Sequence, residues 1–131
     1  MSPDINALMQ GLPSLVNGNA PLRRIGRYCS TEFLLACGDA EHHLVVERGR
    51  LVDVIAGPRR MRGWCFALRA PAAAWQEFWR EHPAPGFSDL FAMSRYGHLH
   101  IEGDVGPLLA NLRYIKEVVA LPRQLLVEAR P

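Results

Sequence analysis

The densest set of chemistry-bearing side chains is His98, His100 and Glu102, which alternate with Leu99 and Ile101. Two imidazoles and a carboxylate are the ligand types of a non-haem iron site. Same-face residues on a strand stand about 6.5–7 Å apart, so the outer pair lie about 13 Å from each other, whereas metal donors converge to about 2.1 Å from one ion. At most two of the three can share a metal, and no metal site is assigned. His42 and His43 are adjacent and point to opposite faces of a strand. Asp89, His98 and Asp104 have the residue types for acid–base work if folding gathers them. Cys29, Cys37 and Cys65 show no C-x-x-C spacing and read as reduced thiols, a pattern that fits a cytoplasmic setting. No glycine-rich phosphate loop and no G-x-S-x-G elbow is present. The expectation is therefore no catalytic residue, no metal and no cofactor, with an enzyme or enzyme subunit acting on an apolar small molecule through His and Asp as the secondary reading.

A different feature is more concentrated. Trp64, Phe66, Trp75, Phe78, Trp79, Phe87, Phe91 and Met93 crowd one stretch of thirty residues. Large rings on short helices over a sheet favour an apolar pocket, and methionine adapts to ligands of varied shape. The candidate ligand-binding set is these eight with Ile115 and Val119 from the last helix. Arg59, Arg60 and Arg62 form a basic loop that is the candidate for an anionic headgroup.

The elements that position these residues follow from hydrophobic period. Ile5, Leu8, Met9, Leu12, Leu15 and Val16 make one helical stripe, with Pro13 predicting a kink near Leu12 and Asn17 to Pro21 a connector. From Arg27 to Arg69 the period falls to two: Phe33, Leu35 and Cys37, then Leu44 and Val46, then Leu51 to Ala56, with turns at Gly38-Asp39 and Gly49. Trp64 to Leu68 is apolar on both faces, as in a central strand. Pro71 opens a helix carrying Trp75, Phe78 and Trp79, and Ser88 or Asp89 caps a second that Gly97 ends. His98 to Glu102 reads as a fifth strand. Pro107 opens a last helix with Leu108, Leu112, Ile115 and Val119 on its core face, and Pro122 stops it.

Composition bounds the rest. At 131 residues one domain is expected, with 49% apolar and 21% charged residues, a globular balance. Fifteen basic against thirteen acidic residues give a net +2, too little for phosphate-dominated nucleic-acid binding. Apolar runs fall far short of the ~20 residues of a membrane span, and the first ten residues, with Asp4 and no basic stretch, make a poor export or transit address.

From Gly63 onward the order of elements, with Asp89 to Met93 and then Gly97-His98-Leu99-His100-Ile101-Glu102-Gly103-Asp104 leading into Pro107-Leu108-Leu109-Ala110-Asn111-Leu112, resembles the sterol carrier protein 2-like family. The resemblance covers about Arg27 to Arg123 and is strongest from Asp89 to Leu112. It implies an α+β fold, a five-stranded mostly antiparallel sheet covered by helices, with an apolar tunnel for fatty acids, acyl-CoA or sterols, in a carrier or an accessory domain that serves partner enzymes. The chain departs from peroxisomal members in ending Glu128-Ala129-Arg130-Pro131 and in its leading helix. The expected organisation is a helix and connector over residues 1–20 and the sterol-carrier-like domain over 21–131. A third reading is a homo-oligomerising module, with a dimer formed through Leu8, Leu12 and Leu15 of the leading helix.

Overall fold

The computed structural model describes residues 5–57 and 63–128. Two short helices open it, α1 (Ile5–Gln10) and α2 (Leu12–Asn17), broken at Gly11. The break expected near Leu12 falls at Gly11, and Pro13 occupies the first turn of α2, where its missing N–H has no partner to lose. The expected connector is itself corrected: Asn19 accepts the Leu22 N–H at 3.1 Å and caps α3 (Ala20–Ile25), with Pro21 in the first turn. The Asn and Pro that read as turn chemistry serve as helix-start chemistry.

Strands β1 (Thr31–Cys37), β2 (Ala40–Glu47), β3 (Arg50–Ala56), β4 (Phe66–Ala70) and β5 (His100–Gly103) form one sheet in the order β3-β2-β1-β4-β5. β1 and β4 are parallel and the other pairings antiparallel, as the mostly antiparallel expectation requires. The β2–β3 turn uses left-handed Arg48 and Gly49, and a Cβ on Gly49 would stand 2.6 Å from the Arg23 carbonyl of α3, so only glycine fits there. The fifth strand begins at His100 rather than His98, because the His98 N–H is turned back to the Met93 carbonyl at 2.7 Å, at the end of α5.

Helices α4 (Ala72–Phe78), α5 (Leu90–Arg95), α6 (Gly106–Ala110), α7 (Leu112–Ala120) and α8 (Pro122–Glu128) complete the chain. Asp89 caps α5 through the N–H groups of Phe91 and Ala92, and Gly97 follows that helix with positive φ, both as expected. The single last helix is divided at Asn111, whose side-chain amide donates to the Pro107 carbonyl and competes with the backbone ladder. The helix ends at Ala120 just before Pro122, as expected, and Pro122 then starts α8, since proline at a first helical position costs no hydrogen bond.

One face of the sheet, Phe33, Leu35, Leu44, Val46, Phe66 and Leu68, shares a single core with Leu8, Met9, Leu12 and Val16 of α1 and α2, Trp75 of α4 and Tyr114, Ile115 and Val119 of α7. The opposite face carries Glu32, Glu41, His43, Arg69 and Glu102. There Arg69 binds Glu41 at 2.8 Å and Glu102 at 3.0 Å. The free edge of β3 is closed by side chains: Asn17 both donates to the Leu51 carbonyl and accepts its N–H, each at 3.0 Å, and Gln10 donates to the Val54 carbonyl at 3.2 Å. Asn17 thus acts as a one-residue strand partner and removes an aggregation-prone edge.

At the α3–α7 crossing, a Cβ on Gly26 would stand 2.2 Å from the Tyr114 ring, so glycine permits that ring to be buried. The Tyr114 hydroxyl has no hydrogen-bond partner. Burial pushes the Cys29 thiol up to about 11 and, with the nearby Cys29, holds the Tyr114 phenol well above its ordinary range.

Two outcomes follow from this packing. Asn17→Ala leaves the Leu51 N–H and carbonyl unpaired and is expected to lower stability by about 1–3 kcal/mol in urea unfolding; Asn17→Asp, which keeps the acceptor alone, falls between. Because the Cys29 thiol ionises more readily unfolded than folded, its contribution to stability is complete below pH 9 and declines as pH rises towards 11. Unfolding curves across that range should fall with pH, and Cys29→Ala should make the fall shallower.

Candidate functional site

The aromatic stripe expected on α4 is the joint between the two layers. Trp75, Phe78 and Trp79 fall three and four residues apart on one helix face. Trp75 stacks on Trp79 with centroids 5.3 Å apart and meets Phe78 edge-on at 5.8 Å. The Trp75 indole donates to the Ala36 carbonyl of β1 at 2.8 Å, and the Trp79 indole to the Val119 carbonyl of α7 at 2.9 Å. Beneath them Phe33 and Phe66 stack across the parallel β1–β4 pair at 5.0 Å.

Over this joint the helices leave a trough open to solvent. Its middle section, about 640 Å³, is lined by Asn19, Leu22, Glu81, Glu117, Ala120, Leu121, Arg123 and Gln124. It shares Asn19 and Gln124 with a section of about 510 Å³ along Leu15, Ala20 and Pro21. At its other end it shares Glu117 and Ala120 with a narrower section of about 140 Å³ reaching Phe78, Leu90 and Lys116. Apolar and polar side chains line every section, and charged residues line both the middle section, with Glu81, Glu117 and Arg123, and the narrow one, with Asp89, Lys116 and Glu117.

Arg123 is the polar group built most deeply into that middle section. It donates through Nη2 to the Phe78 carbonyl at the end of α4, and its guanidinium lies 5.2 Å from the centre of the Phe78 ring. Its Nε is buried with no acceptor among the described residues, and burial lowers its pKa. Glu117 is exposed and pairs with Arg113 at 3.6 Å. Lys116 lies 3.9 Å from Asp89 and 5.3 Å from the centre of the Phe91 ring.

Of the ten expected pocket residues, Phe66, Trp75, Phe78, Trp79, Met93, Ile115 and Val119 are brought together as buried members of one core, each at most 3% exposed. Phe87 packs against that core half-buried, stacked on His98 at 4.2 Å. Phe91 is exposed beside Lys116, and Trp64 sits half-buried 5.9 Å from the Arg69 guanidinium. Phe78 is the one of the ten that reaches the trough. Arg59, Arg60 and Arg62 lie outside the described residues. Arg123 was invisible to sequence reasoning because it follows the proline taken as a stop; a proline read as a helix start would have placed it on a first turn.

The acid–base candidates have structural occupations. Asp89 caps α5, Asp104 accepts the Gly106 N–H at 3.0 Å, His98 stacks on Phe87, and His100 lies 3.7 Å from Glu102. His42 and His43 are both buried, with Nε2 of the first 3.1 Å from the Asn6 side-chain oxygen and Nδ1 of the second 3.2 Å from Glu32. Among the described residues no three His, Cys, Asp or Glu gather where a metal could bind, and no helix is long and apolar enough to cross a membrane. Leu8 and Leu12 are buried in the chain's own core, whereas Leu15 is half-buried and lines the trough.

This arrangement of sheet and helices is a sterol carrier protein 2-like fold. The crystal structure of sterol carrier protein 2 superposes with a TM-score of 0.72 at 20% identity, covering 90% of this chain and 95% of that one. The solution structure of a conserved hypothetical protein of Thermus thermophilus, described as a candidate sterol carrier protein, gives 0.67 at 18%, covering 93% and 90%. A ubiquinone synthesis protein, UbiJ-SCP2, gives 0.56 at 15%, covering 95% and 98%. No protein-family model matches the chain, and no curated protein matches it in sequence.

Trp79→Phe deletes the indole N–H that joins α4 to α7 and leaves the buried Val119 carbonyl without it. The expected result is a loss of about 1–3 kcal/mol in chemical denaturation with an unchanged far-ultraviolet spectrum. A change below about 0.5 kcal/mol, the range of ordinary surface substitutions, would show that this bond does not hold the layers together.

Proposed function

We propose that the chain binds an apolar small molecule or lipid, of fatty acid, acyl-CoA or sterol-like type, as a carrier or as an accessory protein to an enzyme. The observation that carries this reading is the trough, lined by apolar and polar side chains together, that runs along α7 and α8 to Phe78. The sterol-carrier-like fold supports it.

In this reading the apolar part of the ligand follows the trough past Leu22, Ala120 and Leu121 and displaces or opens the ring layer at Phe78. Trp75, Trp79, Ile115 and Val119 then form the wall it meets. The sections already open are within the volume range of small-molecule sites. Hiding about 300 Å² of hydrocarbon at about 25 cal/mol per Å² supplies up to ~7 kcal/mol before ordering costs, which corresponds to micromolar affinity at best. The helices that line the route, α4, α5, α7 and α8, are short, and short helices held by few contacts open at lower cost than the strands of the core.

The test is displacement of a fluorescent fatty acid from the purified chain, read by energy transfer from Trp75 and Trp79. Saturable binding at micromolar concentration, weakened at least five-fold by Leu121→Asp, is expected. Failure of fatty acid, acyl-CoA and sterol probes alike to bind up to about 50 μM, a standard free energy near −6 kcal/mol, would refute the reading.

A further inference from the structure

We infer that the corner where α3 ends against the β2–β3 turn is a docking surface for an acidic segment of a partner protein. It uses none of the residues that line the trough and holds whether or not the trough takes a lipid.

Two segments meet at this corner. Helix α3 carries Arg23 and Arg24 in its last turn, and Arg27 and Tyr28 follow it. The turn between β2 and β3 is Arg48-Gly49, flanked by Glu47 and Arg50. It is fastened to the end of α3: the Gly49 N–H donates to the Cys29 carbonyl at 3.1 Å, the Arg48 N–H donates to the Ser30 hydroxyl oxygen at 3.0 Å, and a Cβ on Gly49 would stand 2.8 Å from the Gly26 backbone. Five arginines are thereby gathered with one carboxylate, Glu47. Arg24, Arg27, Arg48 and Arg50 are exposed, and Arg23 is half-buried. Among the described residues none of the five forms an ion pair, whereas Arg69, Arg80, Arg113 and Lys116 each have a carboxylate partner. The whole chain carries only +2, so its positive charge is concentrated at this corner and the remainder is acidic on balance.

The carbonyl end of a helix attracts cations, which accounts for arginines at the end of α3 but not for those of the turn. Arg48 is the one non-glycine among the described residues with positive φ, 50°, a left-handed position where glycine and asparagine are the favoured residues. A guanidinium is kept there against the preference of the backbone. Tyr28 is 84% exposed, with the Arg27 guanidinium 4.7 Å from its ring centre and Arg27 Nη1 donating to the Arg24 carbonyl at 2.8 Å. Ring and guanidinium hold each other in place on open surface. Tyrosine and arginine are the residues that carry binding energy between proteins, and lysine, which interfaces disfavour, is absent from this corner. Carboxylates of an acidic segment take forked pairs from these guanidinium groups, and an apolar side chain of the same segment covers the Tyr28 ring. A single ring gives no series of platforms for successive bases of a nucleic-acid strand, and it is a small anchor for a bilayer, which takes a whole apolar face.

The experiment titrates the full chain into a fluorescein-labelled twelve-residue peptide of repeated Glu-Glu-Leu, read by anisotropy at low salt. The comparisons are the matched Gln-Gln-Leu peptide, an oligouridylate of equal charge, and vesicles of phosphatidylcholine with phosphatidylserine. The acidic peptide is expected to bind at least ten-fold more tightly than the neutral one, and a chain with Arg24, Arg27 and Arg48 all changed to Gln to lose at least ten-fold. Changing Arg80, Arg95 and Arg113 to Gln removes the same charge elsewhere and is expected to cost less than two-fold. Tyr28→Ala is expected to cost at least three-fold. No preference for the acidic peptide, or equal losses from the two triple variants, overturns the docking surface. An unchanged affinity in Tyr28→Ala overturns the part given to the ring. The oligouridylate is expected to bind more weakly than the peptide, and the vesicles to sediment no more of the wild type than of the first triple variant; either result reversed overturns the choice of partner. Should the triple variant fail to fold, Arg48→Asn decides the matter. Its melting temperature is expected to match or exceed that of the wild type while its affinity for the acidic peptide falls at least two-fold, and an unchanged affinity overturns the inference. None of these results depends on displacement of a fatty acid from the trough, so the two readings fail separately.

Discussion

The structure depends on one joint, the pair of indole hydrogen bonds by which α4 ties the sheet to the last helices. Trp75 donates to the Ala36 carbonyl in the middle of the sheet and Trp79 to the Val119 carbonyl in α7. Both rings are stacked and buried, so each bond forms where an unpaired N–H or carbonyl is expensive. The inner face of β1 and β4, the stacked Phe33–Phe66 pair included, is covered only while this joint holds. The same joint lies next to the trough, which it meets at Phe78.

That proximity sets a well-packed core directly beside an open trough. Seven of the expected pocket residues are consolidated as core, and the open volume lies above them, between α2–α3, α7 and α8, with Phe78 as the point of contact. In the proposed reading, hydrocarbon entering at this place exchanges ring–ring contact for ring–ligand contact. The difference is small in free energy because both states are apolar.

The leading helices are integrated with this body. Their Leu8, Met9, Leu12 and Val16 belong to the same core as the sheet, and their Asn17 and Gln10 side chains close the β3 edge. Across the sheet, the opposite face is settled by charge: Arg69 is held between Glu41 and Glu102, and His43 is buried against Glu32. That face combines these paired polar groups with buried Leu34, Ala36 and Ala67.

Local pattern was enough to establish the period-two strands, the Asp89 cap, the Gly49 turn and the α4 stripe, because each depends on residues within one or two turns of one another. It was also enough, through the run from Gly97 to Leu112, to suggest the fold. Three kinds of feature were decided only by tertiary structure. Pro122 and Asn19 each follow the end of one helix and begin another, and local pattern gave only the first. Whether the aromatic residues fill space or surround it depends on ring positions set by partners as far apart in sequence as Ala36 and Val119. The position of Arg123 against Phe78, forty-five residues away, depends on α8 folding back over α4. Periodicity in a chain reports which side chains must leave water, whereas the space left between them is a property of how distant segments meet.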